Sequence, residues 1–348
     1  MRGAEFRVGL THDFLTPDGT FVFGDIGLQI LDDVPAICRE FLPPFTDEIP
    51  PTVADQYDAL LVLSPRVTES TVADCRRLKL IARFGVGYDN VDTAACTRHG
   101  VMLTITPDGV RRPVAASAMA FLLALSHRLL TKDRLTREGR WDEKLHHMGV
   151  GLTGRTLGII GLGNIGREIV TLARPFGLNF LAFDPFVSSE FAQECGVQLA
   201  DLDDLMRQSD FVCVACALTD ETRYLLDDRT LQLMKSTAFL INVSRGPVVD
   251  QAALTRLLLE ERIAGAALDV FETEPIATSD PLLSLDNVIL SPHAVCWTDE
   301  LFLGNGRAAC RSIVKVAAGE IPADVVNRDV LQKPRLMQKL SGGIDAGQ

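Results

Sequence analysis

The sequence predicts an α/β chain with two doubly wound parallel sheets, and three observations predict it. Short β-type runs alternate with longer amphipathic stretches along most of the chain, the rhythm of βαβ units. A glycine-rich turn with strand-like and helix-like flanks stands near the middle of the chain, so a separate lobe folds before it. The 348 residues are 47% hydrophobic with a mean hydropathy of +0.16, enough for about two cores at roughly 150 residues each.

Charge narrows the function classes. Lys and Arg number 34 against 46 Asp and Glu, a formal charge of −12, the wrong sign for neutralising nucleic-acid phosphates or anionic lipid. No nucleic-acid or membrane partner is expected. Residues 1–10 carry no secretory h-region, and the longest apolar stretch, 114–125, falls short of the ~20 residues that span a bilayer. Eight cysteines in such a length are too sparse for a disulfide framework, so a reduced, cytoplasmic protein is expected. Cys213 and Cys216 form a C-x-x-C inside a buried strand-like run, where residues three apart point to opposite faces. They are read as apolar thiols, and no metal is expected.

In chain order, strand-like runs fall at 59–63, 80–82, 101–105, 156–160, 180–183, 211–215, 239–243, 266–268 and 288–290. The first three make the leading α/β lobe. Between the third and fourth, a helix is expected over 112–137, with Pro113 in its first turn and apolar positions nearly all round from Val114 to Leu130. Such a helix needs a cover, which is either a second subunit, making a homodimer, or its own subunit. The polar stretch 333–348 is expected to be a loose tail.

Gly161, Gly163 and Gly166 make a G-x-G-x-x-G between the run at 156–160 and a helix that stops near Pro175 and Gly177. Gly161 permits the tight turn, Gly163 lets backbone approach a pyrophosphate, and Gly166 lets helix pack on strand. The N–H groups of Asn164 and Ile165 would then face phosphate from a helix N-terminus. Asp184 closes the next strand and is placed to accept from ribose hydroxyls while repelling a 2′-phosphate. This is a Rossmann-type dinucleotide site that favours NAD over NADP.

Three later strand ends carry polar residues: Asn242-Val-Ser-Arg245, Asp269 to Glu274, and Ser291-Pro-His293. Carboxyl ends of strands in a doubly wound sheet face the ligand crevice, so Arg245, Glu274 and His293 can converge. Arg245 offers a planar fork for a carboxylate. His293 can give and recover a proton at a carbonyl oxygen. A Glu274 carboxylate beside the imidazole would favour its charged form and fix the ring.

Taken together, these motifs resemble the D-isomer-specific 2-hydroxyacid dehydrogenase family over residues 55–330. The resemblance is carried by Arg83-Phe-Gly-Val-Gly-Tyr-Asp-Asn-Val-Asp92, the Gly161 fingerprint, Leu218-Thr-Asp-Glu-Thr222, Asn242-Val-Ser-Arg-Gly-Pro-Val-Val-Asp250, Ala267-Leu-Asp-Val-Phe-Glu-Thr-Glu-Pro275 and Ser291-Pro-His293. It implies two Rossmann- or flavodoxin-like domains with the active site in a cleft between them. The substrate-binding domain would comprise 1–106 and 296–332, with a NAD-binding domain inserted at 107–295 that carries the dimer contact. It implies hydride transfer between NAD(H) and a small 2-hydroxy or 2-oxo acid, with Arg245, Glu274 and His293 catalytic.

The same match would add Val86 and Gly87 backbone N–H groups to the substrate carboxylate. Ala217 would contact the cofactor, Thr222 would lie by its phosphates, and Val243 and Asp269 at its nicotinamide end. Glu274, where a formate-oxidising branch has an amide, argues for a carbonyl to protonate. Departures fall at Ala217, where proline is usual, at Arg111 to Ala118, and at Ala294-Val-Cys-Trp297, where glycines are common. Trp297 would cap a substrate side chain and Arg66 would meet a second anionic group, or both are ordinary packing and surface. Glyoxylate, hydroxypyruvate and bulkier 2-oxo acids stay open. So does a NAD(H)-responsive regulator on the same fold with little turnover.

Overall fold

The computed structural model describes residues 5–45 and 47–341. Twelve strands build two all-parallel sheets among them. The first holds β1 (Phe6–Leu10), β2 (Ile37–Phe41), β3 (Ala59–Val62), β4 (Leu80–Arg83) and β5 (Met102–Thr104), in the order β2-β1-β3-β4-β5. The second holds β6 (Thr156–Ile160), β7 (Asn179–Phe183), β8 (Gln198–Leu199), β9 (Phe211–Val214), β10 (Phe239–Asn242), β11 (Gly265–Leu268) and β12 (Val288–Leu290). Its order is β12-β11-β10-β9-β6-β7-β8.

Central strands such as β3, β9, β10 and β11 are buried at every residue. A parallel strand covered on both faces reads as a continuous apolar run, which is why the sequence exposes these strands. β1 and β2 escape a sequence reading. β2 is an edge strand with Arg39 and Glu40 in its middle, and β1 is interrupted by Arg7 and Gly9. Gly9 is required by packing, since a Cβ there would lie 2.6 Å from Leu42 Cδ2.

Two compact units divide the chain: Met1–Val110 with Trp297–Gln348, and Arg111–Cys296. In the first, helix Asp299–Ala317 returns to the five-stranded sheet and buries Phe302, Ala309, Cys310 and Ile313 with β1, β3 and β4. In the second, helix Asn164–Ala173 buries Gly166, Ile169, Val170 and Ala173 on one face.

Two expectations are corrected. The single helix over 112–137 is two helices, Pro107–Ser126 and Leu129–Arg137, bent by 58° where Arg128 takes a left-handed φ of 50°. Pro107 opens the first helix, so Pro113 lies inside it rather than in its first turn. Ala115, Ala118, Met119, Phe121, Leu122 and Leu125 are buried within this chain against the core of the seven-stranded sheet.

The stretch from Lys333 is not a loose tail. Pro334–Ser341 is a helix with Leu336 fully buried. Lys339 Nζ donates to Leu78 O at 2.8 Å and His99 O at 2.9 Å, and burial brings its pKa down to about 8. A polar composition hid this because one buried leucine and one buried lysine bonded to two backbone carbonyls are enough to seat a short helix. Residues 342–348 of that expectation lie outside the described residues.

Candidate active site

β6 is the switch point of the seven-stranded sheet: the chain winds outward through β7 and β8, then crosses to β9 on its other side. Open α/β sheets bind ligands at the carboxyl ends of strands beside such a point. Gly161 sits there with φ +94°, and a Cβ on it would come within 2.7 Å of the Cys216 backbone, two residues past β9. Gly166 is equally constrained, since a Cβ would fall 2.2 Å from Gly161 O. Gly163 differs. A Cβ there would meet no protein atom within 4 Å, and Gly163 caps helix Asn164–Ala173 without any side-chain bond to its first turn. Protein packing therefore does not demand this glycine. An open helix N-terminus with no Cβ in front of it suits the phosphates of a dinucleotide, and the residues fit that cofactor.

Asp184 directly follows β7, with one oxygen accepting Leu162 N–H at 2.8 Å and the other Phe186 N–H at 3.0 Å. The carboxylate is thus pinned to the glycine turn and keeps a further lone pair on each oxygen. Beyond β9, Thr222 Oγ1 donates to Ala217 O at 2.7 Å and accepts Thr219 N–H at 2.7 Å, which closes the turn over residues 217–222. Burial pushes the Cys213 thiol up to about 12 and Cys216 up to about 11, against a reactive C-x-x-C.

The polar constellation stands on three adjacent strands. Asn242, Leu268 and Leu290 end β10, β11 and β12 in one register row. Arg245, the Asp269 to Glu274 loop and His293 follow directly. Asn242 Nδ2 donates to Arg245 O at 3.0 Å and its Oδ1 accepts Ser244 N–H at 3.0 Å, so a buried amide shapes the arginine turn. The Ser244 hydroxyl donates to Cys216 O. Gly246 touches the neighbouring loop so closely that a Cβ would lie 1.8 Å from Phe271 O.

Glu274 Oε1 accepts Phe271 N–H at 3.0 Å, and Oε2 meets His293 Nδ1 at 2.7 Å. Burial pushes the Glu274 carboxyl up, but the His293 hydrogen bond, the Phe271 N–H and the charges of His293 and Arg245 outweigh it and hold it below the ordinary value. Glu274 is therefore an anion at neutral pH, within the electrostatic reach of Arg245. His293 adopts φ +54°, a left-handed conformation that a non-glycine residue keeps only where its surroundings impose it. Those surroundings include Asp269, 4% exposed, whose Oδ1 accepts the N–H groups of Ala294 and Val295, both at 2.9 Å. Burial raises the Asp269 pKa against these bonds.

The second unit thus brings together the glycine turn, Asp184, the 217–222 turn, Val243, Asp269, Arg245, Glu274 and His293. Val86, Gly87, Arg66 and Trp297 belong to the first unit. Val86 and Gly87 are half-buried in the loop after β4, where the left-handed glycine is Gly85 at φ +138°. Arg66 is exposed and faces Asp47 at 3.6 Å. Trp297 packs edge-on against Phe23 and Phe302, each at 5.5 Å between ring centroids. Sequence reasoning missed Ser244, Gly246 and the Tyr224–Glu272 hydrogen bond. Only Asn242, a polar residue closing an apolar run, carried a local signal.

Comparison with known proteins places the chain in a family. Residues 119–295 match the model of the D-isomer specific 2-hydroxyacid dehydrogenase, NAD binding domain. A glyoxylate reductase of Korarchaeum cryptofilum is 39% identical over 296 residues, covering 82% of this chain and 89% of that protein. A D-3-phosphoglycerate dehydrogenase of Methanocaldococcus jannaschii is 38% identical over 281 residues, covering 80% of this chain and 53% of that protein. Among solved structures, a D-lactate dehydrogenase from Aquifex aeolicus complexed with NAD and lactic acid superposes with a TM-score of 0.76 at 25% identity, covering 98% of this chain and 99% of the other.

Proposed function

The chain belongs to the D-isomer-specific 2-hydroxyacid dehydrogenases, NAD-dependent oxidoreductases of 2-hydroxy acids, and from that premise we propose that it reduces glyoxylate or hydroxypyruvate, with Arg245, Glu274 and His293 as its catalytic residues. The observation that carries this reading is the 2.7 Å bond from His293 Nδ1 to an ionised Glu274 on the neighbouring strand end, beside Arg245. The relatives named glyoxylate reductase support the choice of a small 2-oxo acid.

The glycine turn would hold the dinucleotide, which as NADH would supply a hydride for reduction and as NAD+ would accept one in oxidation. The Arg245 guanidinium pairs with the substrate carboxylate and turns its remaining N–H donors toward the ketone oxygen. With Nδ1 committed to Glu274, His293 presents Nε2 to that oxygen. In reduction the imidazolium gives its Nε2 proton to the oxygen as the new C–H bond forms, and Glu274 holds the charged ring in place until then. In oxidation the neutral ring takes the hydroxyl proton back. Asp269 keeps the backbone behind His293 fixed, which restricts the ring to one approach.

The test is NADH oxidation followed by absorbance with glyoxylate, hydroxypyruvate, pyruvate, phenylpyruvate and phosphohydroxypyruvate, with His293→Ala alongside. Turnover of glyoxylate or hydroxypyruvate, lost in the variant, is the expected result. Tight NADH binding without turnover of any compound would instead favour a NAD(H)-responsive regulator.

We further propose a homodimer. Leu129, Leu130, Trp141, Leu145 and Met148 are all at least half exposed on one stretch of the second unit, an apolar concentration that a monomer seldom leaves uncovered. The eight cysteines are free, which supports the cytoplasm as its compartment.

A further inference from the structure

Tyr224 lies two residues beyond the 217–222 turn, with its backbone in the left-handed region at φ +52°. Bulky residues take that conformation rarely. Its N–H donates to Pro247 O at 2.8 Å, two residues past Arg245. Its hydroxyl donates to the carboxylate of Glu272, two residues before Glu274. The Glu272 N–H in turn donates to Gln251 Oε1 at 3.0 Å, and Gln251 Nε2 donates to Asp280 Oδ2 at 2.8 Å. One tyrosine therefore bonds both the arginine turn, through its backbone, and the loop of the acid–base glutamate, through its side chain.

We infer that Tyr224 and Glu272 are positioning residues, a strut tying the turn that takes the cofactor phosphates to the loop that aims Glu274 at His293. This rests on the acid–base reading given under Proposed function. A backbone forced into the left-handed region would be relaxed by glycine, so the phenol must contribute something that glycine lacks. Tyr224 is 40% exposed, and a hydrogen bond so open to water adds little to global stability. Its effect is local, on a loop where a small rotation of Glu274 breaks the contact with His293. Cofactor seating at residues 217–222 and the set of the acid–base pair are thereby coupled, and the coupling acts in both directions.

The experiment compares Tyr224→Phe, Glu272→Ala, the double variant and Glu272→Gln in the full chain. It reads kcat and KM for the 2-oxo acid, the pH profile of reduction, and the NADH dissociation constant from fluorescence quenching. Tyr224→Phe and Glu272→Ala should each lower kcat about fivefold, the effect of losing one hydrogen bond, with KM for the oxo acid nearly unchanged. Both should weaken NADH binding and move the alkaline limb of reduction to lower pH. The double variant should be no slower than either single one, because both remove the same bond. Glu272→Gln keeps an acceptor and should behave like the parent. Unchanged kcat, multiplied effects in the double variant, or a slower enzyme with an unmoved pH profile would each overturn the strut. If His293→Ala also keeps turnover, the acid–base reading fails and the strut with it. If His293→Ala is inactive while Tyr224→Phe is normal, only the strut falls.

Discussion

Glu274 and His293 face each other across two strand ends, with Glu274 Oε2 and His293 Nδ1 2.7 Å apart. Glu274→Gln removes the anion opposite the imidazolium while keeping the shape. If the pair performs the acid–base step, the alkaline limb of reduction should shift to lower pH in a kcat/KM profile against pH. An unmoved limb would count against the pairing. The folded Glu274 carboxyl lies below its ordinary value, so its interaction is in place above the ordinary carboxylate range and fades as pH falls through the folded value. Arg245→Lys replaces a planar fork with a point charge and should cost roughly a hundredfold in kcat/KM for the 2-oxo acid. These three residues stood out in the sequence because each lies a few residues beyond an apolar run, in a polar segment that a buried strand does not need. Tyr224 and Glu272 were not, since nothing local links residues 48 apart in the chain.

At the scale of elements, the glycine turn separates two kinds of constraint that one motif merges. Gly166 is held by the protein: a Cβ added there would fall 2.2 Å from Gly161 O. Gly166→Ala should lower stability by about 1–3 kcal/mol, as overpacking does, seen as a lower unfolding midpoint. Gly163 faces open space. Gly163→Ala should leave that midpoint nearly unchanged and weaken NADH binding at least tenfold, the cost of a methyl in front of a phosphate. Equal effects at the two positions would remove the distinction. The helix after the third expected strand teaches the reverse lesson. Its apolar run was visible, but its break at Arg128 was not, because the sequence holds no proline or glycine at residues 127–128.

For the whole molecule, the first helix of that pair is buried within its own chain, and the apolar surface left exposed follows the break, at Leu129, Leu130, Trp141, Leu145 and Met148. Light scattering behind size exclusion should give a dimer mass for the parent and a monomer mass for Leu145→Asp with Met148→Asp. A parent that elutes as a monomer at micromolar concentration would sink the dimer. The helix Pro334–Ser341 belongs to the same scale: its seat is made by Leu78 O and His99 O, carbonyls far earlier in the chain.

By itself the sequence determined the fold class, the dinucleotide turn and the polar residues at three strand ends. Each of these is written in contiguous residues whose burial, backbone conformation or charge is a local matter. Only the tertiary structure decided that β10, β11 and β12 lie side by side, so that Glu274 reaches His293 beside Arg245. It also decided which glycines are packed against protein, and that a polar C-terminal stretch docks as a helix. Strand order, close backbone approach and the seating of a short helix depend on partners distant in the chain, and no local pattern records which partner is chosen.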